Sequence, residues 1–170
     1  MNPTSIFLVD LFVGYVAATL FAVRYFWPKV QSMDRLAAHK LIATIHSFRY
    51  YGLSFMLSGV VGAKLPADFA GPVAYGDFLT AIFAIGALIF YKVPKVFWPM
   101  VWLFNIIGFL DLVMDTATAI RLDLPSVSGQ LGANFAFPTV YVPVLFVTHI
   151  VAFTLLLRGS ARHVQATANA

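Results

Sequence analysis

The sequence predicts an all-α polytopic membrane protein, a single domain built as a bundle of five transmembrane helices. Three observations carry that prediction. Of 170 residues, 61% are hydrophobic and only 11% are charged, whereas a soluble domain has roughly a quarter of its residues charged. Mean hydropathy is +0.85. The apolar residues gather into five runs, near 5–26, 41–61, 73–91, 97–120 and 138–157, each close to the ~20 residues that a bilayer core requires of a helix. With no cysteine, disulfides, thiolate nucleophiles and Cys-ligated metals are excluded, and any haem or metal would fall to the histidines, methionines or carboxylates.

Each run has its own polar signature. In the first, Asp10 shares a face with Gly14 and Ala18, small residues that let helices pack closely, so Asp10 is expected to face protein. Residues 1–5 lack a cationic n-region, so this run is expected to persist as a helix rather than act as a cleaved signal. The second run carries His46 and Arg49 one turn apart, with His39 further back at the membrane edge, expected to be solvated, and Ser54/Ser58 and Gly59/Gly62/Ala63 as a second close-packing surface. The fourth begins with "VPKVFWPMVWLF", which reads as an interfacial aromatic anchor with Pro99 in a first turn. It then carries Asn105, Asp111 and Asp115; at about 100° per residue the two carboxylates lie about 40° apart, on a stripe with Gly108 and Thr118. Pro143 in the fifth run should kink the chain above His149. The segments between the runs hold the Pro, Gly and Ser that end helices.

Cations set the orientation. Arg24, Lys29, Arg35 and Lys40 flank the first connection, Lys92 and Lys95 the third, and Arg158 and Arg162 the C-terminal end. Lys64/Asp68 and Arg121/Asp123 leave the second and fourth connections balanced. The positive-inside rule then puts the N-terminus outside and the C-terminus in the cytoplasm of a bacterial-type inner membrane. The expected partners are the lipid bilayer, a small or lipophilic ligand, and a homo-oligomer or larger membrane-protein complex that also holds the polar tail 161–170 with its solvated His163. Nothing signals nucleic acid.

That orientation brings Arg49 and Asp111 to mid-depth, His46 and His149 to a shared inner level, Asn105 to the inner half, and Asp10 and Asp115 to the outer half. A charge at the bilayer centre costs about 3–17 kcal/mol, so these groups must point inward and be paired, protonated or wet. One reading is a structural Arg49–Asp111 pair. The other is a polar cavity bounded by the second, fourth and fifth helices, in which Arg49, Asp111, Asp115, His46, His149, Asn105 and Asp10 bind a ligand. An alternative makes His46 and His149 the axial ligands of a haem b in an electron carrier. A further alternative uses the three levels to move protons or ions.

In size, in its five spans and in the Trp/Pro run of residues 93–104, the chain resembles the tryptophan-rich sensory protein family, which implies a five-helix ligand-binding bundle. That family's run lies between its first two helices rather than before the fourth, so no residue role is carried across. Nucleophile elbows, phosphate-cradling glycine loops and di-metal motifs are absent from the sequence. A non-enzymatic ligand-binding role, as an accessory subunit of a membrane complex, is the expectation.

Overall fold

The computed structural model describes the backbone of residues 2–168 and the side chains of residues 2–158; the tail 161–170 and His163, as side chains, lie outside the described residues. All regular structure among the described residues is helical. Helix α1 (Pro3–Phe21) starts on Asn2, whose side chain accepts from the Ser5 amide, with Pro3 in the first turn, where its missing N–H costs nothing. It passes through a π turn, Ala22–Phe26, into α2 (Trp27–Ser32). The wider turn is where Pro28 needs it, because proline removes one hydrogen bond and its ring crowds the carbonyl four residues back. Asp34 then caps α3 (Arg35–Ser47) by accepting from the Ala37 amide.

Helix α3 ends early. From Phe48 to Met56 the chain is a 3-10 helix, and the following residues 57–65 are turns rather than helix. The continuous α-helix expected over 41–61 is therefore not what forms, and the small residues Ser58, Gly59, Gly62 and Ala63 lie in a loop instead of on a helix face. Six of the nine residues of "FRYYGLSFM" are aromatic, Ser or Gly, weaker helix formers than Ala or Leu, so its local preference offers little resistance to the tighter winding. Gly62 and Ala133 donate to Gln130 and Val60 carbonyls, which ties the loop to a second 3-10 segment, Leu124–Phe135.

Helices α4 (Ala67–Ile89) and α5 (Pro94–Arg121) follow. Pro94 occupies the first turn of α5, so Pro99 lies inside that helix instead of at its start. A second π turn, Phe137–Tyr141, leads into α6 (Val142–Ala168) and ends just before the expected kink residue Pro143. Four helical stretches are long and apolar enough to cross a membrane: Pro3–Ser32, Ala67–Ile89, Pro94–Arg121 and Phe137–Arg158.

Two apolar cores stand at opposite ends. One joins the first π turn and α2, α3, the end of α4, the start of α5 and the later part of α6, around Phe26, Ile42, Ala87, Phe97 and Leu156. The other joins the start of α1, the end of the first 3-10 helix, the start of α4 and the segments beside Leu124 and Phe137. The chain thus runs back and forth, and the buried Arg49, Asp77 and His149 fall between the two cores.

Helix α1 is the least buried long helix, and its closest approach is at Gly14, where a Cβ would collide with the Thr139 carbonyl and lie 3.4 Å from Pro143 Cγ. We expect Gly14→Leu to force α1 off the π turn at a cost of about 1–3 kcal/mol. Thermal unfolding in detergent micelles checks this, with Ala17→Leu, on an exposed face, as a near-neutral control.

Candidate functional site

The 3-10 winding delivers Arg49 into the middle of the protein. It is fully buried, and each guanidinium nitrogen has a partner. Nε donates to Asp77 Oδ1 at 2.6 Å and Nη2 to Asp111 Oδ2 at 2.6 Å. Nη1 donates to the Gly108 carbonyl at 3.0 Å and to His149 Nε2 at 3.2 Å. One side chain thereby ties its own segment to α4, α5 and α6.

Space for this cluster comes from glycine. At Gly108 a Cβ would come within 2.7 Å of Arg49 Nη1 and 2.9 Å of His149 Nε2, and at Gly52 it would lie 2.5 Å from Asp77 Oδ2. Gly76 is likewise packed against the Asp111 carboxylate. Arg49, Asp77, His46 and His149 are all fully buried.

The imidazoles are fixed by their bonds. Because Arg49 donates to His149 Nε2, the His149 proton resides on Nδ1, which donates to Asn105 Oδ1 at 3.0 Å; Asn105 Nδ2 in turn donates to the Val101 carbonyl. The Thr148 hydroxyl gives its hydrogen to the Val144 carbonyl, so it accepts from His46 Nε2–H at 3.0 Å. His46 Nδ1 is left as a buried nitrogen with no partner.

His46 and His149 do come together, but not around a slot. Their ring centroids are 4.0 Å apart, in direct contact, whereas two imidazoles on one haem iron would hold their centroids about 6 Å apart at roughly 2 Å per metal–nitrogen bond. Both His149 nitrogens are already hydrogen-bonded. The pair does not fit the axial ligands of a haem, and no group of three or more potential metal-ligating His, Cys, Asp or Glu side chains occurs among the described residues.

Other expected site residues separate. Asp10 is exposed and borders an open groove between α1 and residues 135–144, so its neighbour is not the Arg49 cluster and it is not turned into protein. His39 is fully buried instead of solvated, edge-on to Trp98 at 5.4 Å, with Arg35 stacked over the same indole at 4.3 Å. The aromatic anchor at the start of α5 covers it. Arg49 is fully buried against its partners, while Asp111 keeps partial exposure.

A cavity lies one turn away. Asp115 opens onto a partly open space of about 230 Å3 lined by α1, the end of the first 3-10 helix, α4, α5, the start of the second 3-10 segment and the 137–142 segment. Its walls are apolar, with Phe7, Phe55, Phe69, Leu112 and Phe137 prominent, and Asp115, Thr116 and Tyr15 are the polar exceptions.

Sequence reasoning missed Asp77. Its signal was available: a carboxylate inside the third apolar run had to meet a cation, and Arg49 has more donors than one carboxylate can use.

Fold and site together define an all-helical protein, with four helices of membrane-crossing length, locked by a buried arginine–carboxylate cluster beside an apolar cavity. The family described as Domain of unknown function (DUF8737) matches residues 6–157, and the chain belongs to it. No curated protein and no solved structure matches the chain.

Removing the guanidinium alone strands two buried carboxylates. Arg49→Ala is therefore expected to lose about 3–5 kcal/mol, and the triple variant Arg49→Ala/Asp77→Asn/Asp111→Asn to lose distinctly less. Unfolding of both variants in the same detergent measures the difference.

Proposed function

We propose that this is an integral membrane protein of five crossings whose outer-half cavity binds a small lipophilic ligand. The observation that carries the proposal is the apolar cavity itself, walled by residues of six segments and reached by one carboxylate. Burial of ligand surface in such a space is the usual basis of recognition for apolar molecules. An engineered cavity of about 150 Å3 holds benzene, so a space of about 230 Å3 suits an alkylbenzene or a short branched chain.

Several features support five crossings. The α3 helix has 13 residues and the 3-10 helix that continues it has 9. At 1.5 Å and 2.0 Å of rise per residue they extend about 20 Å and 18 Å, enough together to cross a core of about 30 Å. The two apolar cores each take alternate ends of the same five segments. Arg24, Lys29, Arg35, Lys40, Lys92, Lys95 and Arg158 all sit at one of those ends, which favours that end as cytoplasmic, with the N-terminus outside.

In this reading the Arg49 cluster is scaffold. Its guanidinium does not release a proton, which weighs against a relay running through it. The cluster instead holds α4, α5 and the 3-10 segment at fixed spacing beside the cavity.

Two experiments test the proposal. In intact cells, a cysteine placed within residues 66–70 should react with an impermeant thiol reagent from outside, and one within 31–35 should not; the opposite pattern would invert the orientation. Propylbenzene should raise the unfolding temperature of the micellar protein, and Ala119→Phe, which fills the cavity wall, should abolish the rise. Equal shifts in both proteins would remove the cavity as the site.

A further inference from the structure

The cavity has an uncompensated charge position. Asp115 is half-buried on its wall and has neither a hydrogen bond nor an ion pair among the described residues. The buried cation Arg49 already has Asp77 and Asp111 as partners and two further N–H groups directed at Gly108 and His149. The other polar wall groups do not serve Asp115 either. Thr116 gives its hydroxyl hydrogen to the Leu112 carbonyl at 2.7 Å, and Tyr15 lies against Phe146 with ring centroids 6.0 Å apart. Every other lining residue is apolar.

From this placement we infer that the ligand is a lipophilic amine, whose ammonium pairs with Asp115 while its hydrocarbon part lies among Phe7, Phe55, Phe69 and Phe137. The inference rests on the cavity reading above and adds the chemical class. A carboxylate in an apolar surround is costly unless it is protonated, hydrated or met by a cation, and with Arg49 committed to other partners an ammonium carried by the ligand is the group that would let Asp115 keep its charge. Anionic ligands are disfavoured by the same charge. Neutral hydrocarbons fill the space but leave Asp115 without a partner. Size narrows the class further: scaling from benzene in about 150 Å3, a cavity of about 230 Å3 takes roughly nine or ten non-hydrogen atoms, a single ring with a short aminoalkyl chain.

Three probes of one skeleton decide the matter: 3-phenylpropylamine, propylbenzene and 3-phenylpropionate, titrated against the full-length protein in uncharged detergent micelles. The amine is expected to bind about tenfold or more tighter than propylbenzene, the gain typical of a charge-assisted bond, and the carboxylate weaker than both. Asp115→Asn should erase the amine's advantage while retaining propylbenzene binding. Asp115→Glu, which keeps the charge, should preserve the advantage and stands in if the Asn variant does not fold. If propylbenzene binds and Ala119→Phe blocks it, yet the amine has no advantage or keeps it in Asp115→Asn, the ligand class is wrong and the cavity reading survives. If neither amine nor propylbenzene binds the wild-type protein, both readings fall.

Discussion

A guanidinium with no exposure to solvent imposes conditions on everything near it. Its desolvation is offset only when charge and every N–H direction are matched at bonding distance. Arg49 has two carboxylates for its charge and bonds for four of its five N–H groups, all from three other helices at 2.6–3.2 Å. Sliding any of the three by one residue would turn a partner away by about 100° and strand the charge. The positions of α4, α5 and α6 relative to the second segment therefore follow from one side chain. Packing alone, with Ala, Leu, Val and Phe available at many positions, specifies register far less sharply.

The cluster also accounts for features that look unrelated. Glycines at 52, 76 and 108 surround it because a Cβ at any of them would enter the volume occupied by Asp77, Asp111, Arg49 or His149. Through its bond to Arg49, His149 is held as one tautomer and bonded onward to Asn105, while His46 packs against its ring. The amide and two carboxylates in "NIIGFLDLVMD" thus have three different tasks. Asn105 orients an imidazole, Asp111 neutralises the arginine, and Asp115, one turn beyond, faces open space.

Much of this is legible in the sequence alone. Depth along each run placed Arg49 level with Asp111 and His46 level with His149, because a helix converts residue number into height at a fixed rate. Angle around the helix placed Asp111 and Asp115 on one stripe. What failed was whatever depended on a neighbour's identity. Asp77 went unused although its run was recognised. His39 read as an edge residue, yet Trp98 and Arg35 from different helices cover it. Asp10 read as inward-facing on its small-residue stripe; Gly14 and Ala18 of that stripe do pack against protein, but Asp10 itself is exposed at the edge of an open groove.

The second segment marks the boundary between the two kinds of information. By itself the sequence determined the helical class, the placement of the apolar runs, the asymmetry of the cations and the matching heights of Arg49 with Asp111 and His46 with His149, since all of these depend on composition and on distance along one chain. Tertiary structure decided that α3 stops at Ser47 and tightens into a 3-10 helix, that two carboxylates instead of one meet Arg49, and that the open space lies beside Asp115. Those outcomes depend on how side chains from separate segments compete for one volume, and that competition exists only once the segments are packed together.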